Sequence, residues 1–119
     1  MVNIYGIPNC DTVKKALKWL KEKKVSYHFI NLKEGITSKK LNDWVNKAGL
    51  EIVLNKKSST WRQLEPDVLM KMKNKQAAVK VMQLQTSIIK RPVLEFENVL
   101  IFGFSENEYK NFLIDSSKK

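Results

Sequence analysis

The spacing of hydrophobic residues changes along this chain, and each change predicts a new element of secondary structure. Val2–Gly6 is a short apolar run, which is typical of a buried strand. From Asp11 onward the apolar residues follow the helical period and fall on one face: Val13, Ala16, Leu17 and Leu20. Val25–Leu32 alternates again and predicts a second strand. Because the helix between these strands is long enough for a right-handed crossover, we expect a parallel βαβ unit.

The middle of the chain carries helical patterns. Thr37 is a suitable N-cap for a helix that Gly49 would end. Pro66 fits the first turn of another helix, which would run to about Lys73. A further helix is predicted from one apolar face: Ala77, Val81, Leu84 and Ile88. The methionines of this region are interpreted as core residues, not as metal ligands: Met70, Met72 and Met82.

The end of the chain returns to strands. Val93–Phe96 and Val99–Phe102 predict an antiparallel hairpin joined by a tight turn. Ser105, with Glu108 three residues later, resembles a capping box that would begin a last helix. Residues 115–119 are expected to be frayed.

The order of predicted elements is therefore βαβ, several helices, then ββα. This order predicts an α/β fold: a thioredoxin-like mixed four-stranded sheet, with a helical insertion at about 37–90 between its two halves. A domain boundary within 119 residues would leave neither half a sufficient core. Residues 1–119 are therefore expected to form a single domain.

The net charge of +10 suggests nucleic-acid binding at first sight, because clustered cations release counterions from phosphate groups. However, the 22 cationic residues include only two arginines, Arg62 and Arg91, whose forked donors nucleic-acid recognition favours. The lysines are spread over several predicted helices, with acidic residues among them. We therefore expect a solvated lysine surface that could attract an acidic protein partner, and no direct nucleic-acid binding.

The cysteine content limits the possible compartments and cofactors. A single cysteine excludes an intramolecular disulfide and any multi-cysteine zinc site, which is typical of a reducing compartment. The chain begins with a strand pattern, where a secretory signal would have a basic start and an apolar stretch. No apolar run approaches the roughly 20 residues that a membrane span needs. We expect a cytoplasmic monomer with no membrane segment, no metal and no bound cofactor.

Cys10 lies in the predicted turn between the first strand and the first helix. There it would be close to free backbone N–H groups at the positive end of the helix dipole, which stabilise a thiolate. Asp11 is a candidate helix cap, and its negative charge would oppose thiolate formation. The alternative is that Cys10 is a small buried hydrophobic residue. The pattern alone leaves both interpretations open.

Several segments of the chain resemble one known family. They are Tyr5–Ala16, Leu54–Leu64, Ile89–Leu94 and Gly103-Phe104. Together, and in this order, they resemble the arsenate reductase (ArsC)/Spx family, and in particular its YffB-type branch of small reductase-like proteins. The resemblance extends from Val2 to about Leu113. It implies a thioredoxin-like fold with a helical insertion, in agreement with the element order.

The resemblance also implies roles for particular residues. Family members with reductase activity use a cysteine at the Cys10 position as nucleophile and glutathione or glutaredoxin to resolve the product. The Arg91 position carries a substrate-binding arginine, and Pro92 corresponds to a cis proline at the border of the active site. Asn9 would shape the turn. Thr12 would either donate its hydroxyl to the sulfur or hold the helix start by a local hydrogen bond.

Two departures from the family pattern limit the expected chemistry. Arsenate reductases of this type bind the oxyanion with three arginines, and only Arg91 is matched here; the second falls near Asn55 or Lys56, and the third near Gly103. Lys56 could supply a point charge, but it lacks the planar donor fork, which argues against efficient arsenate reduction. Val13 stands where Spx-type regulators carry the second cysteine of a Cys-x-x-Cys pair. An intramolecular disulfide switch is therefore excluded.

Two hypotheses of function follow. The first is a monothiol, glutathione-linked thiol/disulfide oxidoreductase that acts on a disulfide or a small anionic substrate. In it, Cys10 is the nucleophile and Arg91 neutralises a carboxylate of glutathione or an anionic substrate; the alternative role for Arg91 is a surface ion pair. The second hypothesis is a non-catalytic interaction protein that binds RNA polymerase, like the Spx-type regulators.

Overall fold

Four strands form one mixed sheet in the structure, a computed structural model that describes residues 1–115. The strands are β1 (Val2–Gly6), β2 (Tyr27–Asn31), β3 (Val93–Phe96) and β4 (Val99–Phe102). Their order across the sheet is β2-β1-β3-β4. β1 pairs in parallel with β2 and antiparallel with β3, and β3 and β4 form an antiparallel hairpin. The predicted parallel pair and the predicted hairpin are both confirmed.

Helices join β1 to β2 and β2 to β3, and one more helix follows β4. They are α1 (Asp11–Glu22), α2 (Ser38–Ala48), α3 (Leu50–Val53), α4 (Ser59–Arg62), α5 (Pro66–Lys71), α6 (Lys75–Leu84) and α7 (Glu106–Tyr109). Short 3-10 turns occur at Leu32–Glu34 and Thr86–Ile88, and a π-helical segment spans Lys110–Asp115. Of the predicted frayed tail, residues 116–119 lie outside the described part of the chain. No helix within residues 1–115 has the length and apolar character to cross a membrane.

The chain divides into two compact units. Within the described residues, the first comprises Met1–Asn31 and 91–115, and the second comprises Leu32–Lys90. In the first unit, α1, α7 and the residues after α7 bury apolar side chains with the sheet: Val2, Ile4, Ala16, Trp19, Leu20, Leu94, Ile101, Tyr109 and Leu113. The Tyr109 ring meets Trp19 and Phe104 edge to face, at centroid distances of 5.6 Å and 5.0 Å.

The second unit consists of α2–α6 and the segments that join them. α2 begins as predicted, because the Thr37 hydroxyl accepts a hydrogen bond from the Lys40 N–H at 3.1 Å. It ends as predicted at Gly49, whose φ of +92° favours glycine. Pro66 occupies the first turn of α5, also as predicted. Leu54 and Ile89 form an isolated antiparallel bridge within this unit.

Two predictions about buried side chains were wrong. The face of α6 that is buried contains Ala78, Val79 and Met82, whereas Leu84 is 84% exposed. The helix ends at Leu84, and Ile88 belongs to a separate 3-10 turn, so the two residues do not share one helical face. Met70, which was expected in the core, is 71% exposed, while Met72 and Met82 are buried as predicted.

Candidate functional site

The turn after β1 places Cys10 at the start of α1. The Cys10 N–H donates to the Ile7 carbonyl at 3.1 Å, which closes the turn. Cys10 has extended backbone angles (φ −90°, ψ 124°), and its carbonyl accepts from the Lys14 N–H at 3.0 Å. It is therefore the N-cap residue of the helix. The expectation that Asp11 caps α1 was wrong, because Asp11 is already the first helical residue.

The segment before β3 lies beside the end of β1. Because these strands are antiparallel, with Tyr5 opposite Val93, the residues that precede β3 adjoin those that follow β1. The two residues that precede β3 are Arg91 and Pro92, and they are joined by a cis peptide bond, as the family resemblance implied. Pro92 is buried, and its carbonyl accepts from the Gly103 N–H at 2.9 Å.

Arg91 extends its side chain to the sulfur of Cys10. The guanidinium forms a hydrogen bond with the sulfur and also acts on it through its positive charge. The Nε atom of Arg91 is itself buried, and the residue as a whole is half-buried. A partly desolvated guanidinium retains more of its electrostatic effect than one that is fully hydrated.

The pKa of the Cys10 thiol results from opposing effects. Partial burial, the largest single effect, raises the pKa; the Val13 N–H, the Arg91 side chain, the Thr12 N–H and the Arg91 charge each lower it. The lowering effects together prevail, so the pKa lies below its ordinary value of 9.0. The Cys10 side chain makes no geometrically complete capping hydrogen bond, so these N–H groups act chiefly as partial positive charges at the helix start.

The other residues of the predicted turn are placed as follows. Asn9 directly precedes Cys10 and Thr12 directly follows Asp11; both are exposed. Thr12 acts on the sulfur through its backbone N–H, a contribution distinct from both roles considered for its hydroxyl. The predicted stabilisation by N–H groups of the helix start is confirmed, although the residues that supply them, Val13 and Thr12, were not named. An N-cap assignment for Cys10 would have indicated them, because N-cap side chains face the N–H groups two and three residues later.

Lys56 belongs to the second unit, and its contacts there are defined. Its ammonium group donates to the two carboxylate oxygens of Glu51 at 2.7 Å and 3.0 Å. It also lies 5.8 Å from the centre of the Trp61 ring. Both partners compete with any anionic ligand for this cation, although an exposed ion pair of this kind is weak. Its role in substrate binding stays a prediction.

A partly exposed cysteine with a lowered pKa and an adjacent guanidinium has the properties of a sulfur nucleophile. Within residues 1–115, no three side chains of His, Cys, Asp or Glu are grouped so that they could hold a metal ion.

The mixed sheet, the helices between its halves and the cysteine at the first helix start define a thioredoxin-like protein with a helical insertion. The sequence model of the ArsC family matches residues 5–112. The chain belongs to the ArsC family.

Three similar proteins illustrate this membership. A solved structure of a protein named YffB has a TM-score of 0.90 and 38% identity, covering 95% of this chain and 99% of that one. The solution structure of an arsenate reductase-related protein from Brucella melitensis has a TM-score of 0.73 and 37% identity, covering 95% and 94%. The global transcriptional regulator Spx 1 of Bacillus cereus is 25% identical over 95% of this chain and 87% of its own length. These likenesses confirm the predicted family and fold class.

Proposed function

We propose that this protein is a monothiol oxidoreductase that reduces mixed disulfides of glutathione, with Cys10 as its nucleophile. The observation that supports this most directly is that Cys10 is partly exposed and that the Arg91 side chain lowers the pKa of its thiol. A reducing compartment such as the cytoplasm would supply the glutathione. Glutaredoxin is the alternative reductant for the same step.

The reaction has two thiol–disulfide exchanges. In the first, the Cys10 thiolate attacks the glutathione sulfur of a mixed disulfide, so a Cys10–glutathione disulfide forms and the substrate leaves as a thiolate. In the second, the thiolate of a free glutathione attacks that glutathione sulfur, which releases glutathione disulfide and regenerates the Cys10 thiolate. The net reaction converts one mixed disulfide and one free glutathione into the substrate thiol and glutathione disulfide, and the substrate thiolate takes up the proton that the free glutathione lost.

Arg91 and the start of α1 would act in both exchanges. The thiolate form of Cys10 is favoured by the same groups that would stabilise it as the leaving group of the second exchange. Arg91 also carries a positive charge suited to a carboxylate of glutathione or to another small anionic substrate. Asn9 would shape the turn, and Thr12 would present its N–H to the sulfur. Val13 occupies the position where a second cysteine would be needed, so the resolving thiol must come from outside the chain.

The test is to incubate the reduced protein with a small glutathione mixed disulfide and to follow Cys10 by mass spectrometry. We expect a glutathione adduct on Cys10 that free glutathione removes, together with steady release of glutathione disulfide. Cys10→Ser is the matched control, since it keeps the turn and the shape of the side chain. If Cys10→Ser turns over the mixed disulfide as fast as the unaltered protein, Cys10 is not the nucleophile and the proposal is wrong.

A second candidate function is supported by the Spx relatives. The chain aligns with these global transcriptional regulators over 95% of its length, so a regulatory, non-catalytic role through binding of RNA polymerase is the alternative proposal. The basic surface would suit an acidic protein partner. A pull-down with purified RNA polymerase tests it. Specific retention by a protein that forms no glutathione adduct would favour the regulator over the reductase.

A further inference from the structure

Gly6, the last residue of β1, is packed against Val13 of α1. A Cβ atom added to Gly6 would lie 2.7 Å from Cγ2 of Val13, closer than real Cβ atoms approach, and 3.0 Å from Cγ1, which is tighter than nine in ten real Cβ contacts. The nearest atom of Phe29 would be at 3.5 Å, an ordinary contact. Gly6 does not have a positive φ, unlike Gly35, so its backbone angle is not what requires glycine. Glycine is required at position 6 because Val13 leaves no room for a side chain there.

Val13 cannot easily yield that space. Its side chain is fully buried, and a β-branched residue within a helix has one strongly preferred rotamer. Both of its methyl groups face Gly6, so a rotation about χ1 would not remove the crowding. A side chain at position 6 would therefore displace the backbone at the start of α1, rather than only the tip of Val13.

That displacement would act on Cys10. Val13 is the third residue of α1, and its N–H makes the largest of the contributions that stabilise the Cys10 thiolate. The charged side chain that acts on the sulfur is Arg91, from the segment before β3, and Asp11 is the next residue along the chain. Neither is changed by a substitution at position 6.

We propose that Gly6 is a positioning residue for Cys10: its missing side chain lets Val13 seat against β1, which holds the N–H groups of the helix start at the sulfur. The inference rests on the proposed role of Cys10 as a thiolate nucleophile. It assigns the glycine of the Tyr5-Gly6-Ile7 segment a part in the reactivity of a residue four positions later.

The experiment measures the rate of Cys10 alkylation by iodoacetamide as a function of pH. In Gly6→Ala we expect the midpoint to move upward, so that the rate in the acidic range falls about threefold, which corresponds to roughly half a pKa unit. In the double variant Gly6→Ala/Val13→Ala, the methyl groups that crowd position 6 are absent and the N–H of residue 13 remains. We therefore expect the midpoint to return to that of the unaltered protein.

One single variant serves as a control. Asn3→Ala adds an alanine to the same strand away from the contact between Gly6 and Val13, and it should keep the midpoint of the unaltered protein. Circular dichroism verifies that each variant is folded. If Gly6→Ala does not fold, Val13→Ile overfills the same contact from the other side and should raise the midpoint in the same way.

The proposal is overturned if folded Gly6→Ala or Val13→Ile keeps the midpoint of the unaltered protein, or if the double variant keeps the shifted one. Alkylation does not depend on glutathione, so it separates this inference from the proposed function. A rescued midpoint in a protein that fails to turn over glutathione mixed disulfides would refute the reductase and retain the positioning role of Gly6.

Discussion

At the scale of single residues, the reactivity of Cys10 depends on whether the surrounding donors outweigh the cost of partial burial. Burial disfavours the charged thiolate, and four contributions from three residues oppose it. Two of those four contributions come from Arg91, through a hydrogen bond and through its charge. Arg91 is therefore the side chain whose replacement should change the sulfur most.

Replacing Arg91 by methionine should raise the pKa of Cys10, because it removes both contributions while keeping much of the apolar stem. Each unit of increase lowers the thiolate fraction, and thus the alkylation rate in the acidic range, about tenfold. Arg91→Lys keeps the charge without the donor fork, so an intermediate rate is expected. Iodoacetamide alkylation across pH measures both variants. Equal midpoints for Arg91→Met and the unaltered protein would show that the guanidinium does not act on the sulfur.

The lowered pKa of Cys10 also predicts how stability depends on pH. The folded protein loses the thiol proton more readily than the unfolded chain, whose pKa has the ordinary value of 9.0. The resulting stabilisation is fully present above that value and is lost as the pH falls through the lower pKa of the folded state. The difference in free energy of unfolding between the unaltered protein and Cys10→Ser should therefore grow as the pH rises from the acidic range to 9.0.

Urea denaturation of both proteins, in the presence of a reductant, checks this prediction. Subtraction of the Cys10→Ser values cancels the contributions of the other titrating groups. A difference that stays constant across this range would mean that the pKa of Cys10 is the same in the folded and unfolded states.

At the scale of the elements, the caps of the helices are set by single side chains. The Thr37 hydroxyl satisfies the Lys40 N–H at the start of α2, so Thr37→Ala leaves this donor to water. We expect a loss of about 1 kcal/mol in the free energy of unfolding, measured by urea denaturation. Thr37→Ser keeps the acceptor oxygen, so its free energy of unfolding should fall by only a few tenths of that amount. Equal losses in the two variants would assign the effect to the methyl group instead.

Tyr109 connects α7 to the core of its unit. Its ring packs against Trp19 and Phe104, and its hydroxyl donates to the Gly103 carbonyl over a long 3.4 Å. Burial raises the pKa of Tyr109, so the hydroxyl remains neutral. Tyr109→Phe should cost about 1 kcal/mol or less, whereas Tyr109→Ala should cost about 3–5 kcal/mol through the cavity it leaves. Thermal or urea unfolding of the two variants separates the hydroxyl from the ring.

The elements that the sequence predicts well are those whose signals are local. The boundaries of β1, the caps Thr37 and Gly49, and the β3–β4 hairpin follow from residue type and spacing, and all are present. α3 and α4 were not predicted, because four residues are too few to establish a helical period. The exposure of Leu84 was missed because the helical pattern was extended to Ile88, whereas α6 ends at Leu84. The end of a helix is difficult to place from sequence, and an error there assigns the wrong residues to its buried face.

The candidate site divides in the same way. Cys10 at a helix start follows from the strand–turn–helix pattern, but its proximity to Arg91 depends on the antiparallel pairing of β1 with β3, which are more than 80 residues apart. Spacing within one segment contains no information about such a pairing. The family resemblance supplied it instead. The contact between Gly6 and Val13 has no signal in the residue pattern, since it depends on the distance between a strand and the helix that follows it.

At the scale of the whole molecule, the net charge of +10 should influence which reagents reach Cys10. A positive potential raises the local concentration of anions, and added salt screens it over a Debye length of about 10 Å at 0.1 M. Exposed lysines on α1, among them Lys14 and Lys15, lie on the same helix that begins at Cys10. Anionic substrates such as glutathione disulfides should therefore react faster than neutral ones of equal chemistry.

Iodoacetate and iodoacetamide provide such a matched pair, because they differ mainly in the negative charge of the first. We compare the rate with iodoacetate divided by the rate with iodoacetamide. At low salt, this ratio should be on the order of threefold higher at Cys10 than for free cysteine, and added salt should lower it toward the value for free cysteine. Lys14→Glu/Lys15→Glu should lower the ratio at low salt and leave the rate with iodoacetamide little changed. A ratio that exceeds that of free cysteine but does not respond to salt would instead assign the preference to direct contact with the half-buried Arg91, since a partly buried charge pair is screened less than surface lysines.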